Sequence, residues 1–141
     1  MASTDVNELF GAATEFAELM LRTEGEFIPF GVSMATDGSV AMVGGDVGSE
    51  HPRSVDVILL LQLNFLEQLL AGTIRAAGIC LDVRVIPPGQ DVKSDAISVR
   101  LAHSSGEALE VFVPYAGSVD AGFTFGSPFA TQAGEFRHNA V

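Results

Sequence analysis

Residues 55–70 constrain the fold more than any other stretch of the chain. Val55, Val57, Ile58, Leu59, Leu60, Leu61, Leu63, Phe65, Leu66, Leu69 and Leu70 leave Asp56, Asn64, Glu67 and Gln68 mostly on one narrow side of a helix. A helix with so wide an apolar face is either central to its fold or also covered by a second subunit. The run spans about 16 residues, short of the roughly 20 needed to cross a bilayer. Asp56, Gln62, Asn64, Glu67 and Gln68 also interrupt it, so the expectation is a buried helix of a soluble protein with no membrane contact. If part of its face stays uncovered, Leu60, Leu63 and Phe65 are the candidate interface residues.

The rest of the chain is long enough to supply what such a helix packs against. At 141 residues with 48% hydrophobic content, one domain with a sizeable core is expected. It occupies residues 1–141, with the ordered core over about 4–126 and an irregular tail over 127–141. Before the apolar run, Val6, Leu9, Phe10, Ala13, Phe16, Ala17 and Met20 mark one face of a helix over residues 5–23. Asp5 and Glu8 have capping-box spacing at its start, and Gly25 is its stop. Ile28, Phe30, Val32 and Met34 then alternate with smaller residues, as in a half-buried strand. Thr36-Asp37-Gly38-Ser39 is a hairpin turn leading to a second strand at 40–43. Pro52 and Ser54 suit the start of the apolar helix.

Beyond that helix, strands are expected at residues 77–85, 95–103 and 108–115, with a short one at 122–125. The order is α-β-β-α-β-β-β, and the short connections among the late strands favour antiparallel pairing. The fold class is α+β: a five-stranded, mostly antiparallel sheet with both helices on one face. This order of elements resembles the roadblock, longin and profilin-like architectures, which implies a strand order 2-1-5-4-3 and carries no function with it.

A second resemblance rests on residues. Gly25-Glu26-Phe27-Ile28-Pro29-Phe30-Gly31, Asp37-Gly38 and the late Pro114-Tyr115 resemble the pattern of a group of small bacterial proteins with a GEF-x-PFG segment, a DG turn and a late PY. The resemblance covers the chain from the first helix to Tyr115 and implies a bacterial protein. It brings no catalytic residues with it.

Charge narrows the partners. Eighteen Asp and Glu against seven Lys and Arg give a net charge of −11, which repels nucleic-acid phosphate and anionic lipid. Nucleic acid is therefore not an expected partner. Such charge serves solubility, or alternatively a basic protein partner met by the acidic first helix. The N-terminal residues lack the basic and apolar regions of a signal peptide, and a lone Cys80 fits a reducing compartment, so a cytoplasmic location is expected.

No reactive constellation stands out. His51, His103 and His138 lack metal-ligand spacing, so neither a metal nor a cofactor is expected. Cys80 reads as a small packed residue. Asp82, Arg84, Arg100 and Glu110 read as cross-strand ion pairs on the sheet face without helices. Residues 44–48 are glycine-rich but lack the Lys-Ser/Thr of a phosphate-binding loop. The leading expectation is a non-enzymatic protein-interaction module, either a homodimer or a domain docking a protein partner. One alternative is an immunity-like or regulatory acidic binder of a basic protein. The other is a ligand-binding protein or small enzyme with a pocket between the second helix and the sheet, near Phe30, His103 and Tyr115.

Overall fold

Two helices that each carry an apolar stripe need two surfaces to bury it, and one sheet supplies both on its opposite faces. The computed structural model describes residues 2–44 and 53–132. Its elements run α1 (Ala2–Glu24), β1 (Phe30–Ala35), β2 (Val40–Val43), α2 (Ser54–Ala71), β3 (Ile74–Val85), β4 (Ser94–His103), β5 (Ala108–Ser118), β6 (Gly122–Phe125) and β7 (Phe129–Gln132). The α+β class and the two helices agree with the sequence reading. The sheet has seven strands rather than five, and every described pairing is antiparallel. The two additional strands are β6, read from sequence as a short strand outside the five, and β7, in a region read from sequence as an irregular tail. It lies on β5 over Leu109 to Phe112, next to β6, which covers Tyr115 to Ser118.

The order is β2-β1-β3-β4-β5-β6, so the 2-1-5-4-3 arrangement is overturned: β1 lies against β3, not β5. Burial gives the reason. The first eight residues of β3 are buried or nearly so, whereas β5 is mostly half-exposed. A strand apolar on both faces belongs in the centre, and α2 delivers β3 there by crossing from β2 to the far side of β1.

The helices lie on opposite faces, which overturns the expectation of one shared face. Leu9, Ala13, Ala17 and Leu21 of α1 share a core with Phe30, Val32, Met34, Ala76, Cys80, Val99 and Leu101. Val57, Ile58, Leu61 and Phe65 of α2 share a second core with Ile74, Ala77, Ile79, Leu81 and Ala102. Alternation in β3 and β4 sorts large apolar residues onto both sides. The pattern in the sequence therefore shows which residues share a face but not that both faces are covered.

Two close approaches explain the GEF-x-PFG segment. Gly25 ends α1 in the left-handed region, φ 81°, with its N–H donating to Leu21 O at 2.9 Å. Phe30 points to the α1 side, where its ring meets Phe16 edge-on at 4.9 Å and Phe27 at 5.8 Å. Gly31 faces the opposite way and leaves room for Phe65 of α2. A Cβ at Gly31 would stand 2.5 Å from Phe65 Cζ.

The expected caps differ. Asp5 sits inside α1 and its carboxylate bonds elsewhere. Arg53, not Ser54, is the N-cap of α2 and makes no side-chain cap bond. Pro52 lies outside the described residues. The C-terminus of α2 closes on Gly72, φ 76°, with Thr73 N–H donating to Gln68 O at 3.1 Å.

Candidate functional site

The apolar circumference of α2 exceeds what the sheet can cover. Val57, Ile58, Leu61 and Phe65 are buried on the sheet side. Val55 (59% exposed), Leu59 (45%), Leu63 (58%) and Leu70 (89%) form a stripe on the outer flank. The intervals of four residues, with half-buried Leu66 closing the gap, keep them on one side of the helix. Together these side chains present one apolar patch, of the kind that marks an interaction surface. At the C-terminal end of the stripe a cavity of 240 Å³ opens between Leu66, Leu69 and Leu70 and the β4–β5 turn at Ser104, Gly106 and Glu107.

Of the three interface residues named from sequence, the structure exposes Leu63, half-buries Leu60 and buries Phe65, which is 1% exposed in the α2 core. Val55, Leu59 and Leu70 were missed. Their helical spacing was legible, but only the position of the sheet decides which arc of an all-round apolar helix remains outside.

Phe30, His103 and Tyr115 all project from the α1 face, and no shared groove joins them. Phe30 is sealed among aromatic rings. His103 and Tyr115 lie at opposite ends of β4, since Tyr115 pairs with Asp95, eight residues or about 26 Å along the strand from His103. The cavity beside α2 includes His103 among its lining residues and lies apart from Phe30 and Tyr115.

Each end of the α1 face has its own polar cluster. At one, Asp5 Oδ2 lies 2.9 Å from His103 Nε2, and Asp5 Oδ1 accepts from Arg75 at 3.0 Å. Ser105 N–H donates to His103 Nδ1 at 3.0 Å. That places the ring hydrogen on Nε2, from which His103 donates to the carboxylate. The His103 hydrogen bond, helped by Arg75 and opposed by burial, holds the Asp5 carboxyl below its ordinary value. Arg75 also donates to Thr36 O at 3.1 Å. The cluster thus fastens α1 to the β1–β2 turn and to the end of β4. Both ring nitrogens of His103 serve this structure.

At the other end, Tyr115 donates to Asp82 at 2.7 Å. Burial pushes the Asp82 carboxyl up, with Asp95 and Glu26 adding to the rise and the Tyr115 bond opposing it. Burial, followed by the adjoining Asp82, pushes the Tyr115 hydroxyl upward as well. Three rings gather there: Tyr115 lies 6.0 Å from Phe123 and 6.3 Å from Phe125. Arg22 sits 5.1 Å over Phe125, tying α1 to β6.

The four charges assigned from sequence to one helix-free face divide between both faces. Arg84 pairs with Asp95 at 3.7 Å. Arg100, 2% exposed, pairs with Glu110 at 3.4 Å on the α2 side, where Ser98 also donates to Glu110 at 2.6 Å. Cys80 is buried under α1, and burial drives its thiol far above its ordinary value. No group of three or more His, Cys, Asp or Glu suited to a metal ion occurs among the described residues. His51, His138 and residues 45–48 lie outside the described residues.

The most surface-directed chemistry is therefore apolar, on the outer flank of α2. Comparison with known proteins adds no relative: no family model, no curated protein and no solved structure matches the chain.

Proposed function

We propose that this protein is a non-enzymatic protein-interaction module whose docking surface is the outer flank of α2. The observation that carries the reading is the exposed stripe of Val55, Leu59, Leu63 and Leu70 on a helix whose opposite arc is fixed to the sheet. Apolar side chains aligned on a rigid element form a preorganised docking ridge. The reactive side chains support the same reading. The Cys80 thiol is sealed and its proton firmly held, and His103 uses both ring nitrogens in structural bonds. The cavity at the end of the ridge suits one apolar side chain of a partner. At 240 Å³ it is smaller than the roughly 300–1,000 Å³ of ordinary small-molecule sites.

The test is solvent paramagnetic relaxation with a neutral nitroxide, read on the Leu and Val methyls of dilute, monomeric protein. Val55, Leu59, Leu63 and Leu70 are expected to broaden strongly, while Val57 and Leu61 stay sharp. Protected stripe methyls in a monomer would mean that the flank is covered within the chain, and the reading fails. Salt separates this surface from the acidic face of α1, where Glu8, Glu15 and Glu24 are exposed. Apolar docking persists at high salt, whereas recognition of a basic partner by those carboxylates weakens.

A further inference from the structure

We propose that the cavity at the C-terminal end of α2 is a lysine-binding site, which takes the aliphatic stem and the ammonium head of a lysine on a basic protein partner. The inference rests on the docking-surface reading above and adds the chemistry of the partner.

The walls select the stem. Leu66, Leu69 and Leu70 form one side of the cavity, and Ser104, Gly106 and Glu107 of the β4–β5 turn form the other. Backbone bonds hold that turn in shape: His103 N–H donates to Glu107 O, and Gly106 N–H donates to His103 O, each at 2.9 Å. The space is therefore preformed, and a run of methylene groups entering it exchanges water for leucine side chains. No Phe or Tyr is among the lining residues. Aliphatic walls match the four-carbon stem of lysine, whereas the planar guanidinium of arginine gains most by stacking on aromatic rings.

Charge selects the head. Glu107 supplies the one carboxylate side chain that lines the cavity. It is exposed, and it enters no ion pair among the described residues. His103 also lines the cavity, but its ring nitrogens are engaged by Asp5 and by Ser105 N–H. Arg75 directs its guanidinium to Asp5 and Thr36 O. The last turn of α2 contains no basic residue, so the negative end of its dipole is uncompensated as well. A carboxylate on the rim of an aliphatic cavity complements a group that is apolar along its length and cationic at its tip. The net charge of −11 draws a basic partner and opposes a second copy of this chain as the source of the lysine.

The ion pair is exposed, so it adds about fivefold in affinity at most. The leucine stripe supplies the salt-resistant contact, and the cavity chooses among partners that fit the stripe.

Small probes test the site on the intact protein. The n-pentylammonium ion reproduces a lysine side chain from its Cα outward; n-pentanol and pentanoate keep the length and change the head. Each is titrated in 0.15 M salt, where distant charges are screened, and followed by the methyl resonances of Leu66, Leu69 and Leu70. Pentylammonium is expected to shift these methyls at about fivefold lower concentration than pentanol, with pentanoate weakest. Glu107→Gln keeps the shape and removes the charge. It should bring pentylammonium to the level of pentanol and leave pentanol unchanged, with circular dichroism confirming the fold. Equal binding of pentanol and pentylammonium overturns the proposal. So does a preference for ammonium that survives Glu107→Gln, or the absence of any shift at these methyls. None of these results alters the nitroxide reading of Val55, Leu59 and Leu63, which alone decides the docking surface, so the two failures are distinguishable.

Discussion

Replacing Gly31 with Ala tests how the two cores share one strand. Gly31 has no positive φ, so the backbone accepts Ala and gains about 0.5–1 kcal/mol from a stiffer unfolded chain. The side chain meets a different situation. Its Cβ would lie 2.5 Å from Phe65 Cζ, 2.6 Å from Phe65 Cε2 and 3.3 Å from Leu61 Cδ2. Favourable carbon–carbon contact begins near 3.5 Å, so the ring has to retreat by about 1 Å. Phe65 and Leu61 are each 1% exposed, so neither side chain can yield by swinging out into solvent. Forcing a methyl into such a site costs about 1–3 kcal/mol, leaving a net loss centred near about 1 kcal/mol and at most about 2.5 kcal/mol after the backbone gain. Urea unfolding read by circular dichroism should show a midpoint lower by about 0.5–1 M with the slope unchanged. Phe65→Leu removes the ring that blocks the methyl, so Gly31→Ala in that background should lose its penalty, a coupling of about 1 kcal/mol. A Gly31→Ala variant as stable as the parent, or a penalty that is the same in both backgrounds, would falsify the packing argument.

Three further outcomes follow from the polar groups. The depressed Asp5 carboxyl contributes stability that is complete above the ordinary carboxylate range and is lost as pH falls through its lower folded value. Asp5→Asn should therefore flatten the acid limb of the urea midpoint against pH, and an unchanged limb counts against the Asp5–His103–Arg75 clamp. Asp82 has the opposite sign: its raised folded value means that stability declines as pH rises from the ordinary Asp range through that value. Asp82→Asn, which keeps an acceptor for Tyr115, should be more stable than the parent at neutral pH, with the gain vanishing in acid; a loss at neutral pH refutes the cost assigned to its carboxylate, chiefly from burial and to a lesser extent from Asp95 and Glu26. Cys80 should ignore a thiol-specific reagent in the native protein and react stoichiometrically in denaturant, so rapid native labelling would contradict its burial.

The sequence made the elements legible because their periods are strong. The α1 stripe, the Asp37-Gly38 turn and the alternation in β4 each specify local structure by themselves. Gly38 indeed takes φ 93°, and Asp37 Oδ1 accepts from Ser39 N–H at 2.9 Å. What the periods leave open is which residues meet across the fold. Residues 76–81 carry no polar side chain on either face, and an alternating pattern does not distinguish one covering helix from two. The same gap misplaced Arg100 and Arg84 on a single face, although β3 and β4 set them on opposite ones. It also hid the clamp. Asp5 has a capping residue's spacing, while its actual partners are 70 and 98 residues away. For the α2 flank, composition identified the helix, and only the placement of the sheet identified the uncovered arc.

The borders of the sheet bear on how copies of this chain can join. β2 forms one border, while β6 and β7 together line the outer side of β5 at the other, and each of these strands is four residues long. So short a ladder offers a neighbouring chain few backbone hydrogen bonds, and two strands that divide one border break its continuity. Growth by strand addition, the route to fibrils, is thereby discouraged at both sides. The exposed side chains of the α2 flank, by contrast, offer a partner a surface that leaves the backbone ladder untouched.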